Sequence, residues 1–142
     1  MASSPALFAS HPTVEYAELY ARSAYSLLDA ANLPEQLIAR AKELGLYALA
    51  IADRDDLGGA VRLSVAAELS DVRAIHGSSL TLDDGCPPPL LVLNRQGWSN
   101  LCRLVSLARM NSERGLPRTN IETLATYSEG LLALTGPFEG TI

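Results

Sequence analysis

Cysteine and histidine are scarce, with two of each in 142 residues. Cys86 and Cys102 stand apart without metal-ligand spacing, which excludes a zinc module and a disulfide scaffold. Both read as free thiols of a reducing cytoplasm. His11 falls in an unpatterned lead-in, and His76 is the lone imidazole of the patterned chain. Positive charge is also short: 11 Lys and Arg face 16 Asp and Glu, for a net charge of −5. That balance argues against a generic nucleic-acid or polyanionic membrane surface and leaves room only for a local basic patch. Aromatic residues, at 6%, are too few to interleave with cations as a stacking platform. No apolar run is long enough to span a bilayer. The Met1–Pro5 stretch lacks the basic region and apolar core of a secretion signal. A soluble cytoplasmic domain is the expectation.

The length suits one domain, and 48% hydrophobic against 19% charged residues gives a globular composition. The central stretch is Tyr47-Ala48-Leu49-Ala50-Ile51-Ala52, an apolar run without polar alternation that predicts a strand buried on both faces. It breaks into Asp53-Arg54-Asp55-Asp56-Leu57 and Gly58-Gly59, the exit of a parallel strand before a helix. In parallel α/β folds, function gathers at that carboxyl edge.

The pattern predicts a flexible lead-in over residues 1–13 and a single α/β domain over 14–142. Val14–Leu19 predicts a strand with Tyr20–Ser23 at its exit. A helix starts at Asn32 as cap, with Pro34 in its first turn. Leu33, Leu37, Ile38, Ala41 and Leu44 share one face, and Gly45 stops the helix. A second helix over 59–69 carries Val61, Val65 and Leu69 at four-residue spacing. Strand, helix, strand, helix is the pattern of βαβ units on a parallel sheet. Val72–Ile75 and Ser79–Leu82 are short strand candidates, and Asp83-Asp84-Gly85 signals a hairpin turn into Leu90–Leu93. Pro87-Pro88-Pro89 belongs to a loop or a sheet edge. A helix over 97–110 buries Trp98, Leu101, Leu104, Val105 and Ala108. Thr119 and Glu122 fit a capping box, and Gly130–Gly136 predicts another buried strand. A complete eight-unit barrel takes about 250 residues. The pattern therefore fits an open α/β sheet or the first half of a barrel, and a chain end soon after a strand favours the half barrel. Its open edges would call for a partner chain, self-association or extra local structure.

Several segments carry a resemblance. Tyr16–Asp29 resembles the opening of the PHP (polymerase and histidinol phosphatase) domain of bacterial C-family DNA polymerase alpha subunits, most of all the error-prone branch. Leu49–Leu57 is similar to that family's second strand motif. Gly97-Trp98-Ser99-Asn100-Leu101-Cys102-Arg103-Leu104 is similar to a segment typical of polymerase alpha subunits, and Gly130–Gly136 matches in order. The resemblance runs over residues 14–137. It implies a TIM-like barrel that gathers metal ions at its strand ends for nuclease or phosphatase work, chemistry that needs imidazoles and carboxylates. The family's His-x-His falls on Tyr20 and Arg22, its Asp-His on Asp53 and Arg54, and its glutamate on Ser79. Only the aspartate survives. Arginine neither deprotonates nor ligates a cation. The expectation is a degenerate, metal-free site without cofactor, in which Arg22 and Arg54 pair with Asp53, Asp55 or Asp29.

Rival readings stand beside this one. Asp53 and His76 could anchor an unorthodox metal-dependent phosphoesterase or exonuclease, and Arg22 with Arg54 could hold an anion such as phosphate. Asp53, Asp55 and Asp56 otherwise read as a solvated exit loop, and His76 as a satisfied polar residue. Ser78-Ser79 lacks a nucleophile elbow. Gly58-Gly59 lacks the Lys-Ser/Thr of a P-loop and reads as a flexible turn. Arg103, Arg109, Arg114 and Arg118 read as a solvated face before a nucleic-acid contact, and Trp98 as a core anchor. The leading expectation is a non-catalytic PHP-like module with a protein partner, a polymerase core among the candidates.

Overall fold

A computed structural model describes residues 15–84 and 88–135. The lead-in with His11 and Val14, the Gly85-Cys86-Pro87 segment and Gly136 onward lie outside the described residues.

The elements are β1 (Ala17–Ala21), α1 (Pro34–Glu43), β2 (Ala48–Arg54), α2 (Ala60–Glu68), β3 (Arg73–Ser79), β4 (Pro89–Val92), α3 (Arg95–Met110), α4 (Ile121–Thr126) and β5 (Leu131–Ala133). They build one five-stranded sheet in sequential order, β1-β2-β3-β4-β5. The expected βαβ units hold through β1, β2 and β3, which are parallel; β4 and β5 turn antiparallel. The fold is an open α/β sheet of the kind the strand pattern predicts. Among the described residues no helix is long and apolar enough to cross a membrane.

Ala48–Ala52 of β2 are all buried, as the unbroken apolar run requires, and Asp53 after them is buried too. Alternation sends Leu49 and Ile51 to the helix side, where they meet Ile38 and Ala41 of α1 and Leu63 of α2. Ala50 and Ala52 face the other way, beside Leu91, Tyr20 and Ile75. A second core forms where Leu101, Leu104 and Val105 of α3 cover Leu80 and Leu90. Each fully buried leucine there contributes roughly 1.5–3 kcal/mol.

Several boundaries differ from the sequence reading, each for a local reason. Leu33, not Asn32, caps α1, and its N–H is taken by Gln36 Oε1 at 2.8 Å. On α2 the inward positions are Leu63 with the small Ala66 and Ala67. The Val61, Val65 and Leu69 stripe therefore faces outward, at 74%, 52% and 82% exposure. The two short strand candidates around Ile75 are replaced by one continuous strand, β3. Gly77 sits in it because a Cβ there would lie 2.6 Å from the Leu90 carbonyl of β4. Pro89 opens β4 in the sheet interior rather than at an edge; its carbonyl still accepts from Leu134 N at 2.9 Å. The cap of α4 is Asn120, whose side chain accepts from Thr123 N at 2.8 Å, while Thr119 is buried beside Leu82 in an isolated bridge. The last strand is half-open to solvent, because β5 has β4 on one side and no further strand among the described residues on the other.

Helix α3 enters the fold over a glycine contact. Asn94 caps it by accepting from Gly97 N at 2.9 Å. A Cβ on Gly97 would fall 1.9 Å from the Gly130 carbonyl, so the helix start and the β5 approach share one space. Gly97→Ala should therefore lower unfolding free energy by about 3 kcal/mol in urea titration. Gly115→Ala meets no neighbouring atom and carries only the left-handed backbone cost at φ +86°, about 1–2 kcal/mol.

Candidate functional site

The ends of β1, β2 and β3 bring the expected site residues to one edge. Register places Arg54 opposite Ser79 and Asp53 opposite Ser78, with Ala21 beside Ile51. Strand alternation then separates Asp53 from Arg54, one on each face of the sheet.

On the Arg54 side, two guanidiniums converge on one carboxylate oxygen. Arg22 Nη1 lies 3.0 Å and Arg54 Nη2 3.1 Å from Asp29 Oδ2. Arg22 Nη2 also donates to the Tyr20 hydroxyl, and the guanidinium carbon sits 5.3 Å from the Tyr20 ring centroid. Arg22 Nε is buried and finds no acceptor among the described residues. Of the three acidic partners considered for these arginines, Asp29 is the one used.

Asp53 turns instead to the loop after β1. Its Oδ1 accepts from Ser23 N at 2.7 Å and Ser26 Oγ at 2.6 Å, and its Oδ2 from Ser23 Oγ at 2.6 Å. Ser26 Oγ in turn accepts from Arg54 N at 3.0 Å. Asp53, Ser23, Ser26, Ser78 and Ser79 are all buried. Ser78 Oγ donates to the Asp53 carbonyl at 2.8 Å and Ser79 Oγ to the Ala52 carbonyl at 3.2 Å. Both hydroxyls serve the backbone, and neither is placed as a nucleophile. The Ser23-x-x-Ser26 spacing, two short hydroxyls just past a strand, was the one sequence signal for this network.

The remaining acids are engaged too. Asp55 adopts φ +51° and accepts from Thr81 N at 2.7 Å and Thr81 Oγ1 at 2.6 Å. Asp56 accepts from Gly58 N and pairs with Arg109. Arg109 donates to the Asp55 carbonyl from Nη2 at 2.8 Å and from Nε at 3.2 Å. The exit loop is thus a bonded structure rather than a solvated one. Gly58 and Gly59 have a packing role: Cβ atoms there would lie 2.8 and 3.0 Å from the Tyr25 ring. Among the described residues no three His, Cys, Asp or Glu side chains converge as a metal site.

His76 stands on β3, with Ser64 Oγ 3.0 Å from Nε2 and the Trp98 ring 5.5 Å away at 60°. Asp53 and His76 both line a cavity of only about 10 Å³, the room of one water molecule. Cys102 is a free thiol held above its ordinary pKa by burial. Arg103 lies over the Tyr127 ring at 5.7 Å, and Arg118 donates to the Asp83 carbonyl at 3.3 Å.

Two measurements follow from this geometry. Asp53→Ala strands two buried hydroxyls and a backbone N–H, and should cost about 3 kcal/mol by chemical denaturation. Asp29→Asn, in a partly exposed ion-pair cluster, should cost under about 1 kcal/mol. Burial lowers the His76 pKa below its ordinary 6.5, because the imidazolium loses solvation. The unfolded chain then binds more protons at acid pH, so stability is full above about 6.5 and falls as pH drops below it. A series of melting temperatures from pH 7.5 to 5 should show that decline, flattened in His76→Gln.

Comparison with known proteins places the fold in a family. The PHP domain model matches residues 18–142. An error-prone DNA polymerase of Mycobacterium tuberculosis (strain ATCC 25618 / H37Rv) is 43% identical over 129 residues, covering 83% of this chain and 12% of the relative. That of Alkalilimnicola ehrlichii is 41% identical over 127 residues, covering 87% and 12%. The chain thus spans about an eighth of the curated relatives it matches. Among solved structures, a candidate metal-dependent phosphoesterase from Bifidobacterium adolescentis shares the fold at TM-score 0.53 and 21% identity, over 70% of this chain and 35% of that one. An amidohydrolase from Chromobacterium violaceum, with bound sulfate and no metal, does so at TM-score 0.54 and 22% identity, over 67% and 34%. With its fold, its strand-edge motifs and a family match over nearly its whole length, the chain belongs to the PHP domain family.

Proposed function

We propose that this chain is a metal-free PHP module without catalysis of its own, serving as a structural and protein-contact unit beside a polymerase core. The observation that carries the reading is the convergence of Arg22 and Arg54 on Asp29. A divalent ion about 4 Å from one such guanidinium would meet roughly 8 kcal/mol of repulsion at an effective dielectric of about 20. The donor set does not suit a metal cluster: Tyr20 and Ser79 are neutral, and both oxygens of Asp53 are occupied by Ser23 and Ser26. The polymerase context rests on relatives named error-prone DNA polymerase, in which the matched stretch is about an eighth of the length. Contact through the outer strands β1 and β5, with that core or with a second copy, fits the open sheet.

Less supports the rival phosphoesterase built on Asp53 and His76: the cavity they share holds about one water, and the larger opening beside His76 does not include Asp53. An anion between Arg22 and Arg54 has one point in its favour, the Arg22 Nε, which has no partner among the described residues. Asp29 already supplies the acceptor, however, and an anion would have to displace it.

Metal analysis after manganese or zinc loading and dialysis, paired with a phosphodiesterase assay in manganese, tests the reading. We expect well under one equivalent of metal and background rates. The combined variant Tyr20→His, Arg22→His, Arg54→His, Ser79→Glu should retain more metal than the parent. Near-stoichiometric metal in the parent, with turnover lost in Asp53→Asn, would overturn the proposal.

A further inference from the structure

The stripe that α2 turns to solvent is complementary to itself. We propose that two copies of this chain pair through α2, antiparallel about a two-fold axis at Val65. The inference goes beyond the structural reading above and does not rest on it, because it uses neither the strand-end cluster nor the sheet edges.

Over α2 and its C-terminal cap, the exposed residues are Val61, Arg62, Val65, Glu68 and Leu69. The three apolar ones recur every four residues, so they line one face about two turns long. The chain's own core makes no use of them: Leu63, with Ala66 and Ala67, already fills the inward side of the helix. Helix propensity does not account for them either, since valine is a mediocre helix former. A contiguous apolar face left in water marks a contact surface, where scattered single residues would not.

The order of the five residues selects the occupant. In a two-fold contact, residue i of one copy meets j of the other and j meets i. With Val65 on the axis of an antiparallel pair, Val61 stands opposite Leu69 of the second copy, and Arg62 opposite its Glu68. Every exposed position of the stripe then meets its complement, apolar on apolar and cation on anion. A parallel pair in register would instead set arginine on arginine and glutamate on glutamate, so the charges also choose the direction. Both charges are available. Glu68 has no ion pair or hydrogen bond among the described residues. Arg62 Nε lies 2.5 Å from Glu35 Oε1 of α1, which holds the guanidinium at the helix surface while the side chain stays 44% exposed. The face is short, so the dimer is a weak one, oriented more than tightened by its two exposed ion pairs.

Sedimentation equilibrium of the full chain, from about 10 μM to about 1 mM, tests the pairing. We expect a monomer–dimer equilibrium with a dissociation constant on the order of 100 μM. Val65→Glu puts two carboxylates on the axis and should weaken it tenfold or more, with the circular dichroism spectrum of the parent. Glu68→Arg, a change at the exposed end of the stripe, sets like charges opposite each other and should weaken pairing about threefold. A chain that stays monomeric throughout would overturn the proposal. So would a dimer that neither variant weakens, which would move self-association to the strand edges at β1 or β5.

Discussion

The Asp53 carboxylate, closed over by Ser23 and Ser26, is the interaction on which the site depends. Its three donors lie at 2.6–2.7 Å, and all of the groups are buried. Burying a carboxylate costs several kcal/mol, and hydrogen bonds to a charged group each return about 1.5–3 kcal/mol. Three such bonds are enough to hold the charge without a counter-ion. They also stitch the loop after β1 to the end of β2, and that loop carries Asp29. The ion-pair cluster of Arg22, Arg54 and Asp29 is therefore placed by a neutral serine network. Partly exposed pairs of this sort contribute about 0–1 kcal/mol each, so they shape the edge more than they stabilise it.

Strand alternation explains how one short motif serves two purposes. Asp53 and Arg54 are chain neighbours at the end of β2, so their side chains leave opposite faces of the sheet. The aspartate goes to the loop serines, and the arginine goes to the face shared with Tyr20 and Ser79. A carboxylate holding metal must keep lone pairs free toward the ion. This one has each oxygen directed at a hydroxyl or an N–H. The arginine side then supplies cohesion by salt bridges, which need neither a bound ion nor a proton transfer.

Much of the frame was legible in the sequence. The unbroken apolar run of β2, the spacing along α3 and the order of the early elements predicted them well, because burial on both faces or along one helix stripe leaves a direct periodic trace. The outward stripe of α2 misled, since Val61, Val65 and Leu69 imitate a core face while Leu63 and two alanines form the real one. Small inward residues permit close approach to the sheet and leave little hydrophobic signal. Thr119 with Glu122 imitated a capping box one residue early, for two adjacent polar residues both fit a cap and only the backbone decides. The pairing of Arg22 and Arg54 at the edge followed from their motif positions. The choice of Asp29 over Asp53 and Asp55 did not, because it depends on hydroxyls at Ser23, Ser26 and Thr81 whose reach is set by loop geometry.

The shift from parallel to antiparallel pairing after β3 bears on why the edge tolerates unusual chemistry. With strands in sequential order, each is joined to its spatial neighbour, and the two helix-side cores are made chiefly by apolar residues that take no part in the ion-pair cluster. Gly77 lets β4 close directly on β3, so the sheet continues there without a crossover helix. The cohesion of the sheet then rests on Leu49, Ile51, Leu90 and Leu104 rather than on Arg22, Arg54 or Asp29. A side chain at the strand ends can vary without disturbing those contacts, provided its own charge finds a partner. Asp29 is that partner for both arginines, and its position is what keeps two like charges compatible at one edge.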